Sequence, residues 1–180
     1  DKDIPGETPE PRRGVPQGTQ VHGLQPYAAI LLDTFLPGVT DTLIAAGAVS
    51  IDFGTKMRSF LADGWVPGRP MGRETLSLTR PFLEHHVRAH AEQIDNVTFA
   101  WGHRARRLAG SESRVTGVVC EHEGVEHAFD AGLVVDASGR GTRAGAWLRD
   151  LGYGELRKSS VFIDVRYVTC NYTRPPDDLS

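Results

Sequence analysis

Leu133-Val134-Val135-Asp136-Ala137-Ser138-Gly139-Arg140-Gly141-Thr142-Arg143 is the stretch from which the fold is read. A short, wholly apolar run over residues 133–135 suits a strand buried on both faces, as in a parallel sheet. It ends in an acid, passes through small residues and two glycines, and enters a helical pattern over residues 142–151 closed by Gly152. Open α/β sheets bind ligands at the carboxyl ends of their strands. Glycine lets backbone approach a ligand closely, and a helix N-terminus offers unpaired N–H groups to phosphate. Asp136 can accept a hydrogen bond from a ribose or from a water-bridged hydroxyl. The alternative is an ordinary strand–turn–helix joint with Asp136 as its cap. The pattern alone leaves both open, because short glycine-rich patterns are common.

Upstream, residues 97–101, 104–108 and 114–122 read as strands, and Gly124 turns the chain into a hairpin partner over 125–129. Before them Thr79-Arg80-Pro81-Phe82 opens a helix. Thr79 suits the N-cap and proline the first turn. Phe82, Leu83, Val87, Ala91 and Ile94 fall on one broad face of it, with Asn96 just beyond its end. Residues 48–53, 58–61 and 75–78 are strand-like fragments broken by Gly and Pro. Residues 26–36 are helical until Pro37-Gly38, and a short helix over 40–46 stops at Gly47. Residues 4–18 are rich in Pro and Gly, hence an extended loop, and loops of that length are often functional. Downstream, residues 160–172 alternate as one long strand that stops at Pro175-Pro176. Neither an internal repeat nor a low-complexity tract occurs. This order predicts an α/β core of α+β character, with β-rich insertions over 48–79 and 114–129.

Composition narrows the class. The 180 residues are 39% hydrophobic and 24% charged, as in soluble globular domains. A net charge of −3 gives no reason to expect nucleic acid or an anionic membrane as partner. Arg104, Arg106 and Arg107 form a local basic cluster, read as a solvated strand edge in preference to a polyanion site. Cys120 and Cys170 have neither metal-motif nor disulfide-framework spacing, so reduced thiols and a cytoplasmic setting are expected. No stretch reaches the ~18 apolar residues of a spanning helix, and the first residues, Asp1-Lys2-Asp3, carry no signal-peptide pattern.

The 136–143 segment resembles the D-x-S/D-G-x-x-S/T-x-x-R element of FAD-dependent hydroxylases, the group that includes para-hydroxybenzoate hydroxylase. Asp136 and Gly139 match its positions, Thr142 stands where Ser or Thr is usual, and Arg143 stands two places before the pattern's Arg. Arg12-Arg13-Gly14-Val15-Pro16-Gln17-Gly18 resembles the loop after that family's second strand. The match implies that Arg12 faces the FAD pyrophosphate and Val15 the isoalloxazine. Guanidinium suits pyrophosphate, since its fork matches the oxygens and it stays charged. Asp1-Lys2-Asp3 resembles the family's E-R-D, whose first acid holds the adenosine ribose, with Asp in place of Glu. Thr79-Arg80-Pro81-Phe82-Leu83 resembles the R-x-x-L helix start, whose Arg reaches FAD. The strand around Ala105 resembles the one whose backbone brackets the adenine. Residues 146–153 and the strand after them resemble the crossing into the substrate-binding sheet.

The resemblance covers nearly the whole chain and implies an incomplete Rossmann-like FAD-binding domain over 1–158, with the start of a substrate-binding domain over 159–180. The G-x-G-x-x-G turn and the later G-D segment of that family are not in this sequence. The implied cofactor is FAD, with NAD(P)H as reductant and O₂ as co-substrate. The implied reaction is hydroxylation of an aromatic or other small organic molecule. FAD-dependent halogenases and reductases share related segments. A non-catalytic α/β domain that binds a nucleotide or a partner is the alternative of another class. Neither a metal nor a catalytic acid or base is expected. His86 and His90 have i, i+4 spacing without a third ligand. His22 follows the flavin-loop match and is read as a loop histidine or a ring-edge neighbour. Ser138 lacks a nucleophile-elbow pattern, and Trp65, Trp101 and Trp147 read as core.

Overall fold

The computed structural model describes residues 1–12, 15–166, 168–170, 172, 173 and 175. The chain forms two compact units, Gly6–Thr98 with the described residues after Val165, and Asp1–Pro5 with Phe99–Val165.

The first unit is built on β1 (Val21–Leu24), α1 (Pro26–Phe35), α2 (Val39–Ala45), β2 (Val49–Ile51), α3 (Phe53–Lys56), β3 (Phe60–Leu61), β4 (Gly64–Trp65), β5 (Thr75–Thr79) and α4 (Arg80–Ala91). β5 is the centre of a three-stranded antiparallel sheet ordered β1-β5-β2, with Val21 opposite Thr79 and Val49 opposite Ser77. Val39 and Leu43 are fully buried and form the core with Ala48 and Leu76. Leu24, Leu32, Leu36, Leu78, Phe82, Leu83 and Val87 pack around them. α1 gives this core its Leu32 and leaves Tyr27, Ile30, Leu31 and Phe35 on the exposed side. Gly38 takes φ +82 between the two short helices, a left-handed conformation that favours glycine. The Asp33 carboxylate then accepts from the Thr40 amide at 3.1 Å and satisfies a free donor of the first turn of α2. β1 was not expected. Its four residues include Gly23 and follow a Pro- and Gly-rich segment, so only pairing with β5 reveals it as a strand.

The second unit is a β-meander of β6 (Arg104–Ser111), β7 (Arg114–His122) and β8 (Val125–Asp130), followed by α5 (Ala144–Asp150). Glu123 and Gly124 both have positive φ, 50° and 81°, as a tight two-residue hairpin turn requires. Val119, Cys120 and Trp147 are its buried hydrophobic residues.

The architecture is α+β, and every strand pairing among the described residues is antiparallel. Three expectations are corrected. Residues 97–101 form no strand, and residues 133–135 are not the buried parallel strand that their composition suggests. Leu133 and Val135 are 80% and 77% exposed. The described residues of 160–172 are likewise not in a strand, and Val161 and Phe162 stand 90% and 91% exposed. The physical reason is shared: β-propensity measures fit to a half-buried pleated surface, and among the described residues no strand pairs with these runs. No single described helix is long and apolar enough to cross a membrane.

Candidate functional site: two arginines on one carboxylate, and an aspartate-closed turn

Thr79 caps α4 by accepting from the Phe82 amide at 3.3 Å, which fixes Arg80 as the first helical residue. One turn later Glu84 lies on the same side. Arg80 donates through Nε to Glu84 Oε1 at 2.6 Å. Arg12 arrives from 72 positions away and donates through its own Nε to Glu84 Oε2 at 3.3 Å. The proline-rich segment folds back to make this meeting possible. The Arg12 carbonyl accepts from the Val15 amide at 3.2 Å, and the Val15 carbonyl from the Gly18 amide at 2.9 Å. Val15 precedes the 3-10 turn Pro16–Thr19, which packs on α4. Gly18 is buried, and a side chain there would press on Pro11 at 3.3 Å. Arg13 and Gly14 lie outside the described residues. The Arg12, Arg80 and Glu84 side chains are 30%, 42% and 21% exposed. Two guanidiniums are thus held on one carboxylate beside the N-terminus of a twelve-residue helix. That combination is chemically suited to an anion.

In the other unit, Asp136 closes the turn before α5. Its Oδ1 accepts from the Ser138 amide at 2.9 Å, and its Oδ2 from the Thr142 hydroxyl. Thr142 Oγ1 in turn accepts from the Ala144 amide at 3.1 Å. Bonds from the Ser138 hydroxyl, the Thr142 hydroxyl and the Ser138 amide hold the Asp136 carboxyl below its usual range. Gly139 has φ +74 and open space where a Cβ would stand. The aspartate is therefore the brace of the turn; among the described residues no strand directly precedes it, and the N-cap of α5 is Arg143. It stays exposed, so an outside hydroxyl can still reach it.

Asp1 pairs with the segment before β6: its amino group donates to the Ala100 carbonyl at 2.9 Å and its carbonyl accepts from the His103 amide at 3.0 Å. Ala105 sits opposite Cys120 in β6, next to a bulge between Ala105 and Arg107. The expected site residues thus divide as Arg12, Val15 and Arg80 in one unit, and Asp1, Ala105, Asp136 and Gly139 in the other. Glu84 is the partner that sequence reasoning did not single out; Ser138 and Thr142 stand in the quoted motif but without a role as partners of Asp136. An acid four residues after Arg80 was the available signal for Glu84.

The remaining candidates resolve into structural roles. His22 on β1 is bonded through Nδ1 to the Gln20 carbonyl at 2.9 Å. His90 Nε2 lies 3.0 Å from the Thr42 hydroxyl, and His86 packs edge-on against Phe82 with ring centres 4.4 Å apart. Burial, then His85 and His90, lowers the His86 pKa. Arg106 and Arg107 pair across the meander with Glu121 and Glu126, at 2.7 and 2.6 Å. Trp147 is buried, whereas Trp65 is 66% exposed and so is not core.

No protein-family model matches the chain. It is 31% identical over 189 residues to Protein Rv3254 of Mycobacterium tuberculosis (strain ATCC 25618 / H37Rv). That alignment covers 96% of this chain, and the chain spans 39% of the length of that relative.

Proposed function

We propose that this chain is the part of an FAD-dependent monooxygenase that contributes to cofactor binding, in an enzyme hydroxylating an aromatic or other small organic substrate with NAD(P)H and O₂ in the cytoplasm. The convergence of Arg12 and Arg80 on Glu84 carries the reading, because the resemblance implies that Arg12 faces the FAD pyrophosphate and that Arg80 reaches the FAD. The donor set fits a diphosphate in charge and in hydrogen-bonding capacity. In this reading Arg12 holds the pyrophosphate, Arg80 reaches the FAD and Asp1 holds the ribose. The backbone at Ala105 borders the adenine, Val15 borders the isoalloxazine, and the turn of Asp136 and Gly139 offers backbone to the cofactor. The finer fold reading, a Rossmann-like domain completed by residues outside this chain, belongs to the same proposal. Bound FAD would supply the redox and oxygen chemistry; the chain's own residues position it and exclude water.

Titration calorimetry with ADP, the half of the cofactor that carries these contacts, tests the proposal. Binding is expected, and Arg12→Gln and Arg80→Gln should each weaken it about tenfold, the loss of one hydrogen bond to a charged group. Absence of binding, or affinity indifferent to both substitutions, would overturn it.

A further inference from the structure

The excursion between β2 and β5 has a composition unlike the rest of the chain. Residues 52–74 hold four cations, Lys56, Arg58, Arg69 and Arg73, against three acids, Asp52, Asp63 and Glu74, of which Asp52 is bonded to the Met71 and Gly72 amides and Glu74 to the Ser50 hydroxyl, whereas the whole chain carries −3. All four cations are exposed, and among the described residues none meets a carboxylate. Between them stand apolar side chains turned to water: Met57 at 52%, Phe60 and Leu61 at 64%, Trp65 at 66% and Met71 at 67% exposed.

Pairings along the segment tie these residues together. Phe60 and Trp65 are paired across the β3–β4 hairpin, with ring centres 5.2 Å apart in edge contact. The Val66 amide donates to the Ser59 carbonyl at 2.9 Å. The Arg69 amide donates to the Gly54 carbonyl at 2.7 Å, and the amides of Met71 and Gly72 donate to the Asp52 carboxylate at 3.0 and 3.3 Å. The loop with Arg69 and Met71 is thereby fastened beside α3, which carries Lys56.

We infer that this hairpin and its loop form a docking surface for an anionic lipid bilayer. An exposed Trp places an amphipathic ring at the headgroup level, and Phe adds apolar surface beside it. Long Arg and Lys side chains reach outward to headgroup phosphates. Each cation near an anionic leaflet contributes about 1 kcal/mol. An acidic protein partner would satisfy the cations but not the apolar side chains between them. An uncharged apolar partner would leave the cations unpaired. The whole-chain charge averages over this local excess, which is why it gave no reason to expect a membrane. The inference does not rest on the flavoenzyme proposal.

The test is co-sedimentation of the chain with vesicles of phosphatidylcholine alone and of phosphatidylcholine with phosphatidylglycerol at about 7:3. The anionic vesicles should bind on the order of a hundredfold more tightly, with binding falling as salt rises. Arg58→Gln with Arg69→Gln should weaken binding by about thirtyfold. Phe60→Ser with Trp65→Ser should abolish it. A blue shift of tryptophan emission on binding should disappear in Trp65→Phe. All these side chains are exposed, so circular dichroism of each variant should match the parent. No preference for anionic vesicles overturns the inference. So does binding that ignores Phe60 and Trp65, which would mark a simple polyanion site. A concentration-dependent dimer lost in the Phe60/Trp65 variant, without vesicle binding, would assign the surface to a second copy and overturn it as well.

Discussion

Arg80 and Glu84 form an i, i+4 ion pair at 2.6 Å that is shared with a third residue, because the second oxygen of Glu84 accepts from Arg12. Replacing the carboxylate by the amide, Glu84→Gln, removes an acceptor from one arginine and sets a donor against it. Unfolding in urea should show a loss of up to about 1 kcal/mol, as for other part-exposed ion pairs. An Arg80→Ala/Glu84→Ala double-mutant cycle should return a coupling of about 0.3–0.5 kcal/mol. A coupling indistinguishable from zero would mean that Glu84 is held by Arg12 alone.

Leu43 has no exposed surface and touches the core that joins α2 to β5. Leu43→Ala should destabilise the unit by about 2–5 kcal/mol, the transfer loss plus the cavity left behind. Thr79→Ala, which removes the α4 cap, should cost about 1 kcal/mol, and Thr79→Ser should restore most of it. Thermal unfolding of the three variants checks the ranking.

Acid should loosen the turn of residues 136–142. The Asp136 carboxyl is held below its ordinary pKa by the Ser138 hydroxyl, the Thr142 hydroxyl and the Ser138 amide. A folded-state pKa lowered in this way gives a contribution that is complete above the unfolded value and vanishes as pH falls through the folded one. The Ser138 amide resonance should therefore titrate below the ordinary carboxylate range. In Asp136→Asn that titration should be gone. A midpoint at or above the ordinary aspartate value would contradict the assigned bonds.

The two cysteines should differ in reactivity. Cys120 is buried, and burial is the main cause raising its thiol pKa, whereas Cys170 is exposed. Since the thiolate is the nucleophile, an aromatic disulfide reagent at about pH 8 should modify one thiol quickly and the second only after denaturation. Cys170→Ser should remove the fast phase. A fast phase that survives would place Cys120 in solvent.

Local signals carried much of this fold. The helix at Arg80 was legible because a capping threonine, an early proline and a periodic apolar face agree. The meander was legible because Gly124 divides two strand-like runs. Residues 133–135 were misread because an apolar run states only that its side chains avoid water, not that a neighbouring strand is present to cover them. β1 was invisible for the converse reason: its four residues have little propensity of their own and become a strand through β5. In the candidate site, Arg12 and Arg80 were named in advance, but Glu84 was not. A carboxylate between two arginines is a tertiary fact, and nothing near residue 12 announces it.

Asp52 receives the amide of Gly54 at 2.8 Å and those of Met71 and Gly72, so one carboxylate ties the start of a detour to its finish 20 positions later. The two ends of the detour are thereby held side by side. Extra residues spliced between Ala62 and Asp63 would lengthen an already closed ring, at a cost that grows only logarithmically with its size. That position is accordingly where a fluorescent or affinity peptide can be grafted without disturbing the interior around Val39 and Leu76.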